Sequence, residues 1–249
     1  MGDSAIVKLD QGGVNARILA RESKADFRRV EAASLKMRAS FASAEGKRLF
    51  ARYFHTFQLG VHFISVIART RLDHAQVAEV EAALRTQMDR VAEELNRAID
   101  GAEALFQAHG ITEVATYDTV PLALEVGVLS SGSRRYLEIL GKLDQLMPLL
   151  QTLEIHEVIT PVAVDKERAA LKRKVREVAN GARNLASRLR REMNALAGGR
   201  GSGDAAAADA QDAPTPTPTP TPTQQVVVDP SIPAIEPDGT AAVISEPAP

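Results

Sequence analysis

Apolar residues recur every seven positions in two separate stretches of this 249-residue chain. Val77, Leu84, Val91, Ala98 and Leu105 form one row, with Met88, Leu95 and Ala102 beside it and Glu81 breaking one position. Leu171, Val178 and Leu185 form another, with Val175, Ala182, Leu189 and Leu196 as its companion. Residues so spaced share a face only when the backbone is helical. The spacing predicts two long heptad helices, one from Asp73 to about His109 with Gly110 as its stop, and one from a loop around Thr160-Pro161 to Gly198-Gly199. Heptad helices of this kind suit self-association, so a homo-oligomer is expected.

The remaining elements follow from local pattern. Leu35, Met37, Ala39 and Phe41 alternate with Lys36, Arg38 and Ser40, a period of two that predicts a strand over about 34–41. Leu122, Leu124, Val126 and Val128 predict a second over about 122–129, with Ala123, Glu125, Gly127 and Leu129 on its other face. Lone strands pair with each other or with a partner's strands, because unpaired backbone is costly when buried. Ser43 is a helix N-cap, and the apolar residues from Leu49 to Ile67 follow at helical spacing, with Gly60 as a bend or break. Ser130 and Ser131 cap a helix that is apolar on most sides, in which Pro148 predicts a kink or restart. Each half reads strand, serine cap, basic pair (Lys47-Arg48; Arg134-Arg135), apolar helix and heptad helix, a weak internal duplication. The fold class is mainly α, a helical bundle with two long heptad helices and a small two-stranded, ribbon-helix-like β element. Residues 1–25 read as a flexible lead, 26–33 as a short helix or approach segment, and 26–197 as the body.

Residues 198–249 read as a disordered Pro/Thr-rich acidic tail, with Thr-Pro repeats between Pro214 and Pro222. It holds seven acidic residues and, from Gly201 on, no Lys or Arg, so residues 1–200 carry all 30 basic groups against 25 acidic ones. A basic body suits a polyanionic partner, and equally an ordinary soluble protein with a solubilising tail. Val226–Val228 and Ala241–Ile244 are apolar islands, either unremarkable tail sequence or a docking motif for a protein partner.

Composition excludes several chemistries. There is no Cys, hence no disulfide, thiol nucleophile or Cys-type zinc site, and a reducing compartment fits. The first twenty residues contain Asp3, Lys8, Asp10 and Arg17, and no apolar run approaches the ~18 residues of a membrane span, so a cytoplasmic chain without signal peptide or membrane segment is expected. The glycines between Gly198 and Gly203 follow a helix instead of a strand and form no phosphate cradle. Of the five histidines, no two stand four apart, and His55 and His62 suit the edge of a core. Neither an enzyme nor a cofactor or metal is expected.

Two basic features remain. Lys36, Arg38 and Ser40 line one face of the first strand, and a ribbon in the DNA major groove presents such alternate side chains to base edges; charges protecting an edge strand give the same pattern. Between Lys166 and Arg191 the last helix carries ten basic residues opposed only by Glu167 and Glu177. Such a helix binds phosphate backbone or pairs with the acidic side of the first heptad helix; a membrane-surface helix is a minor third option, because the core needs its apolar face.

From Leu105 to Thr160 the chain runs helix end, His109-Gly110-Ile111, a tyrosine-containing linker, a Pro-led strand, Arg134-Arg135-Tyr136-Leu137, Leu143-Asp144-Gln145-Leu146 and Thr152-Leu153. This run resembles the AcaB-like proteins of integrative conjugative elements and conjugative plasmids, over about residues 45–195. The resemblance implies a ribbon-helix-helix-like element, DNA binding and control of conjugation genes. Where it implies a Trp-Leu pair and a glycine after Leu153, this chain has Glu154-Ile155 and His156-Glu157. On this reading Lys36, Arg38 and Ser40 contact bases. Lys47, Arg48, Arg134 and Arg135 contact phosphates at helix starts, and Lys172, Arg173, Lys174 and Arg176 add affinity from the last helix. The rival reading is a structural or adaptor protein acting through its coiled-coil helices and a docking tail.

Overall fold

The computed structural model describes residues 10–24 and 32–207. Most of the segment expected as a short helix at 26–33, and the Pro-Thr tail with its apolar islands, lie outside these residues. The order is α1 (Val14–Lys24), β1 (Leu35–Phe41), α2 (Ala44–His62), α3 (His74–His109), β2 (Leu122–Val128), α4 (Ser131–Ile155) and α5 (Pro161–Ala207). The mainly helical fold class is as expected from the pattern.

The two strands pair with each other, antiparallel, with Leu35 opposite Val128, Arg38 opposite Glu125 and Phe41 opposite Leu122. The alternation in both strands then places Phe41, Leu122, Val126 and Val128 against the helices, buried. Leu35, at the end of the ribbon, is exposed. Ser43 caps α2 by accepting the Gly46 amide, Asp73 caps α3 through Gln76, and Ser130 caps α4 through Ser133. Gly110, at φ 66°, ends α3, and the Ile111 amide reaches back to the Phe106 carbonyl at 2.9 Å.

Phe50, Phe54 and Phe57 of α2 are fully buried, each contributing about 1.5–3 kcal/mol by leaving water. Phe57 stacks on Tyr136 of α4 at 4.3 Å between ring centroids, and the Tyr136 hydroxyl donates to the Val175 carbonyl of α5 at 3.2 Å. The chain packs α2 and α3 against α4. Helix α5 comes close to α2 at Gly60, where a Cβ would lie 3.3 Å from the Ala182 carbonyl. Gly60 thus serves a close approach of helices; α2 goes on beyond it to His62 and through a π-helical turn over Phe63–Ile67.

Three expectations are corrected. Residues 14–24 are a helix, part of what the sequence presents as a loose lead, because tertiary contacts hold it: Asp10 accepts the Asn15 and Ala16 amides at 3.0 and 3.2 Å, the Asn15 amide group donates to the Val120 carbonyl at 2.8 Å, and Ile18 enters the core. Helix α4 runs unbroken through Pro148, since side chains buried on most sides outweigh the ~3 kcal/mol a helical proline costs. Helix α5 passes Gly198-Gly199 and ends at Ala207, which costs only about 1 kcal/mol per glycine relative to alanine.

The internal duplication is stronger than the residue identities suggest. Leu35 and Leu122 open the strands, Ala44 and Ser131 the first helices, and His74 and Pro161 the second helices, each pair 87 residues apart. The buried rows follow the same offset: Val77 with Val164, Leu84 with Leu171, Met88 with Val175, Val91 with Val178, Ala102 with Leu189 and Phe106 with Met193. One chain therefore contains two strand–helix–helix units that complete a single ribbon between them. The heptad residues up to Leu189 are buried or half-buried inside this chain, leaving Leu196 exposed, so they are not free for the coiled-coil self-association that their spacing suggests.

Candidate nucleic-acid interface

The ribbon turns Met37, Ala39 and Phe41 toward the helices, which puts Lys36, Arg38 and Ser40 on the opposite, exposed face. Their cross-strand neighbours on that face are Gly127, Glu125 and Ala123. The outer face is thus lopsided. Only β1 supplies cations, and Glu125 stands directly across from Arg38. Lys36 lies over Gly127, its Nζ 3.3 Å from where a Cβ on that glycine would be.

The basic residues at the helix starts divide. Lys47 is corrected as a phosphate contact: it is 6% exposed, and its Nζ donates to the Val120 carbonyl at 2.7 Å beneath the linker. Burial lowers its pKa from 10.5, against the pull of Asp10 and Asp144. Arg48 is exposed. Arg134 pairs with Glu138 at 3.2 Å and Arg135 with Asp89 at 2.6 Å, so both stay at the surface with their charge matched. On α5, Lys174 reaches Glu94 of α3 at 2.6 Å, Lys172 reaches Glu45 of α2 at 3.6 Å, and Arg173 pairs with Glu177 at 3.7 Å. Arg190 lies over the Phe63 ring at 4.6 Å. The basic helix therefore uses part of its charge within the fold.

Several basic side chains of α2 and α5, some paired and some not, line a groove of about 660 Å³ between the two helices. Arg48 and Arg52 line it from α2, and Lys166, Lys172, Arg173 and Arg176 from α5, over a floor that includes Leu49, Tyr53, Ala169 and Ala170. Its one acidic residue is Glu45, already paired with Lys172.

A crystal structure of selenomethionine-containing AcaB from uropathogenic E. coli is similar to this chain, with a TM-score of 0.62 over 74% of this chain and 93% of that one. The chain has an AcaB-like fold. The two are 22% identical, and the likeness is one of fold. No protein-family model and no curated protein matches the sequence. Among the described residues, no helix is long and apolar enough to cross a membrane.

Sequence reasoning missed Arg52 as a member of a basic site and placed Lys166 only among the ten basic residues of the last helix. The signal was there in part: Arg48 and Arg52 stand four apart, and Lys166, Arg173 and Arg176 recur at seven and three, so each set shares a helix face. That the two faces meet across one groove depends on how α5 packs, which local spacing does not encode.

Proposed function

We propose that this chain is a non-catalytic, DNA-binding regulatory or accessory protein of an integrative conjugative element or conjugative plasmid. The observation that carries the reading is the outward row Lys36-Arg38-Ser40 on a two-stranded ribbon backed by a packed core. A ribbon of this width enters the major groove, where Lys and Arg donate to guanine and Ser serves several bases. The AcaB-like fold agrees with the resemblance found in the sequence, which implies control of conjugation genes. Because both strands come from one chain, a ribbon needs no second copy. The adaptor reading through coiled-coil seams loses its surface, since most of both heptad rows is inside the fold.

The test is fluorescence anisotropy with the purified chain, DNA from its own element and scrambled DNA, over a series of salt concentrations. Selective binding with a steep salt dependence, with selectivity lost in K36A/R38A, supports the reading. No binding near physiological salt, or selectivity unchanged in that variant, overturns it.

A further inference from the structure

The duplication supplies an internal control for the groove between α2 and α5. At the 87-residue offset, Arg48 corresponds to Arg135 and Arg176 to Asp89. In the other half, Arg135 and Asp89 bond to each other at 2.6 Å between α4 and α3, so there the arginine at this position is matched by an acid, although a cavity of about 580 Å³ opens beside the pair. Between α2 and α5 the place of the acid is taken by Arg176. Among the described residues, Arg48, Arg52, Lys166 and Arg176 make no ion pair or side-chain hydrogen bond, although all four line one concave site. Like charges lining one groove repel, and at the matching position of the other half Asp89 relieves that repulsion for Arg135. A bound polyanion removes that repulsion.

The shape of the site narrows the ligand. A cavity of about 660 Å³ has the size of a small-molecule site. Its cations stand on facing walls, which concentrates positive charge in a small volume. A DNA duplex is too wide to enter and meets phosphates only from outside, spread along its length. A compact chain of phosphates presents several negative charges at once, and each arginine can hold two oxygens in its planar fork. Tyr53 and Leu49 in the floor offer an apolar seat for an organic body attached to it.

We propose that the groove between α2 and α5 binds a compact ligand bearing two or more linked phosphates. Arg48 and Arg52 clamp it from α2, Lys166, Arg173 and Arg176 from α5. The site is separate from the ribbon, so a ligand here is positioned to modulate whatever the ribbon does without competing for its outer face.

The experiment is isothermal titration of the full chain with inorganic tripolyphosphate, with sulfate at matched ionic strength as the reference anion. Tripolyphosphate is expected to bind and sulfate not. R48A/R52A and R176A should each weaken binding about tenfold or more, as loss of charge-assisted hydrogen bonds does. R176D, which restores the acid of the other half, should abolish it by letting Arg48 pair. R85A, which removes an exposed cation from the other half, should leave it unchanged, as should K36A/R38A. The side chains changed in these variants are all exposed, and thermal melts of each variant check that the fold is kept. Absence of tripolyphosphate binding, binding that survives R176D, or groove variants that weaken only duplex DNA overturn the proposal; in the last case the groove is a wall of the DNA interface.

Discussion

Asp144, in the middle of α4, accepts the Ser43 amide at 2.9 Å and the Ser43 hydroxyl at 2.6 Å, and its second oxygen takes the Ala42 amide at 2.9 Å. The start of α2 is thus closed by a carboxylate from the other half of the chain. Gln58 of α2 returns the service: its side chain donates to the Gly127 carbonyl at 3.1 Å and accepts the Leu129 amide at 3.2 Å, at the junction between β2 and α4. Replacing Asp144 by Ala strands two buried donors and a part-buried one, so D144A should lower stability by about 3 kcal/mol, and D144N by less because one acceptor remains. Urea unfolding midpoints measure both. A D144A midpoint within error of the parent would mean the carboxylate does not hold this junction. Gly46 belongs to the same arrangement, since a Cβ there runs into the Asp144 carboxylate, and G46A should destabilise by displacing it.

The reciprocal contacts make the halves interdependent. Cutting the chain between Thr112 and Glu113, both exposed, leaves one strand–helix–helix unit on each side. Neither piece can then close its own strand–helix junction, and each exposes the row that the other covers. The expected outcome is that residues 1–112 and 113–249 copurify when produced together and melt as one unit, while neither alone shows a cooperative transition by circular dichroism. Independent folding of either piece would show that the caps between halves are dispensable.

The ribbon face carries one charge that works against nucleic acid. Glu125 stands opposite Arg38, where it competes for the guanidinium and repels phosphate. E125A should therefore raise DNA affinity and steepen the slope of log K against log salt, by up to about one unit if Arg38 gains a phosphate contact. Anisotropy at several salt concentrations reads both quantities. A weaker complex would instead make Glu125 a reader of a base.

Lys47 gives a pH dependence with a definite sign. Burial holds its pKa below 10.5, so in the window between its folded pKa and 10.5 the unfolded chain binds more protons, and raising pH through that window stabilises the fold. In K47M this rise should disappear, while the Val120 carbonyl keeps the Asn15 amide as donor. Denaturant unfolding from neutral pH toward 10.5 compares the two chains. DNA affinity should be unchanged in K47M, because the amine lies beneath the linker and away from the surface.

Much of this fold was legible in the residues. Both strands, the caps at Ser43, Asp73 and Ser130, and the stop at Gly110 come from short-range patterns that tertiary structure only had to accept. The elements that sequence misplaced depend on distant partners. Helix α1 forms where Asn15 finds Val120 and Ile18 finds the core, more than a hundred residues away for the first of these. The heptads were legible as rows but not as to whose they were: α4 and the other half of the same chain cover them, where a second copy would have satisfied the spacing equally. The basic residues divide for a similar reason. Lys47 and Arg48 are neighbours, yet a helix turns adjacent residues about 100° apart, which sends one under the linker and the other into the groove.

The end of α4 is the one place among the described residues where a non-glycine residue sits at positive φ. Glu157 has φ 56°, with the Val158 amide bonded back to the Leu153 carbonyl at 2.9 Å in the manner of a helix C-cap. In this left-handed conformation the Cβ of an L-residue crowds the following carbonyl, at a cost of about 1–2 kcal/mol that glycine does not incur. Gly110 meets the same geometry at the end of α3 without strain, at φ 66°. Glycine loses more freedom on folding, which offsets part of the gain, so E157G should stabilise the chain by about 0.5–1 kcal/mol. A raised urea midpoint with an unchanged slope is the expected result. E157A keeps the Cβ and should show no gain, and equal stabilisation by both variants would place the effect in the charge of Glu157 instead of its backbone.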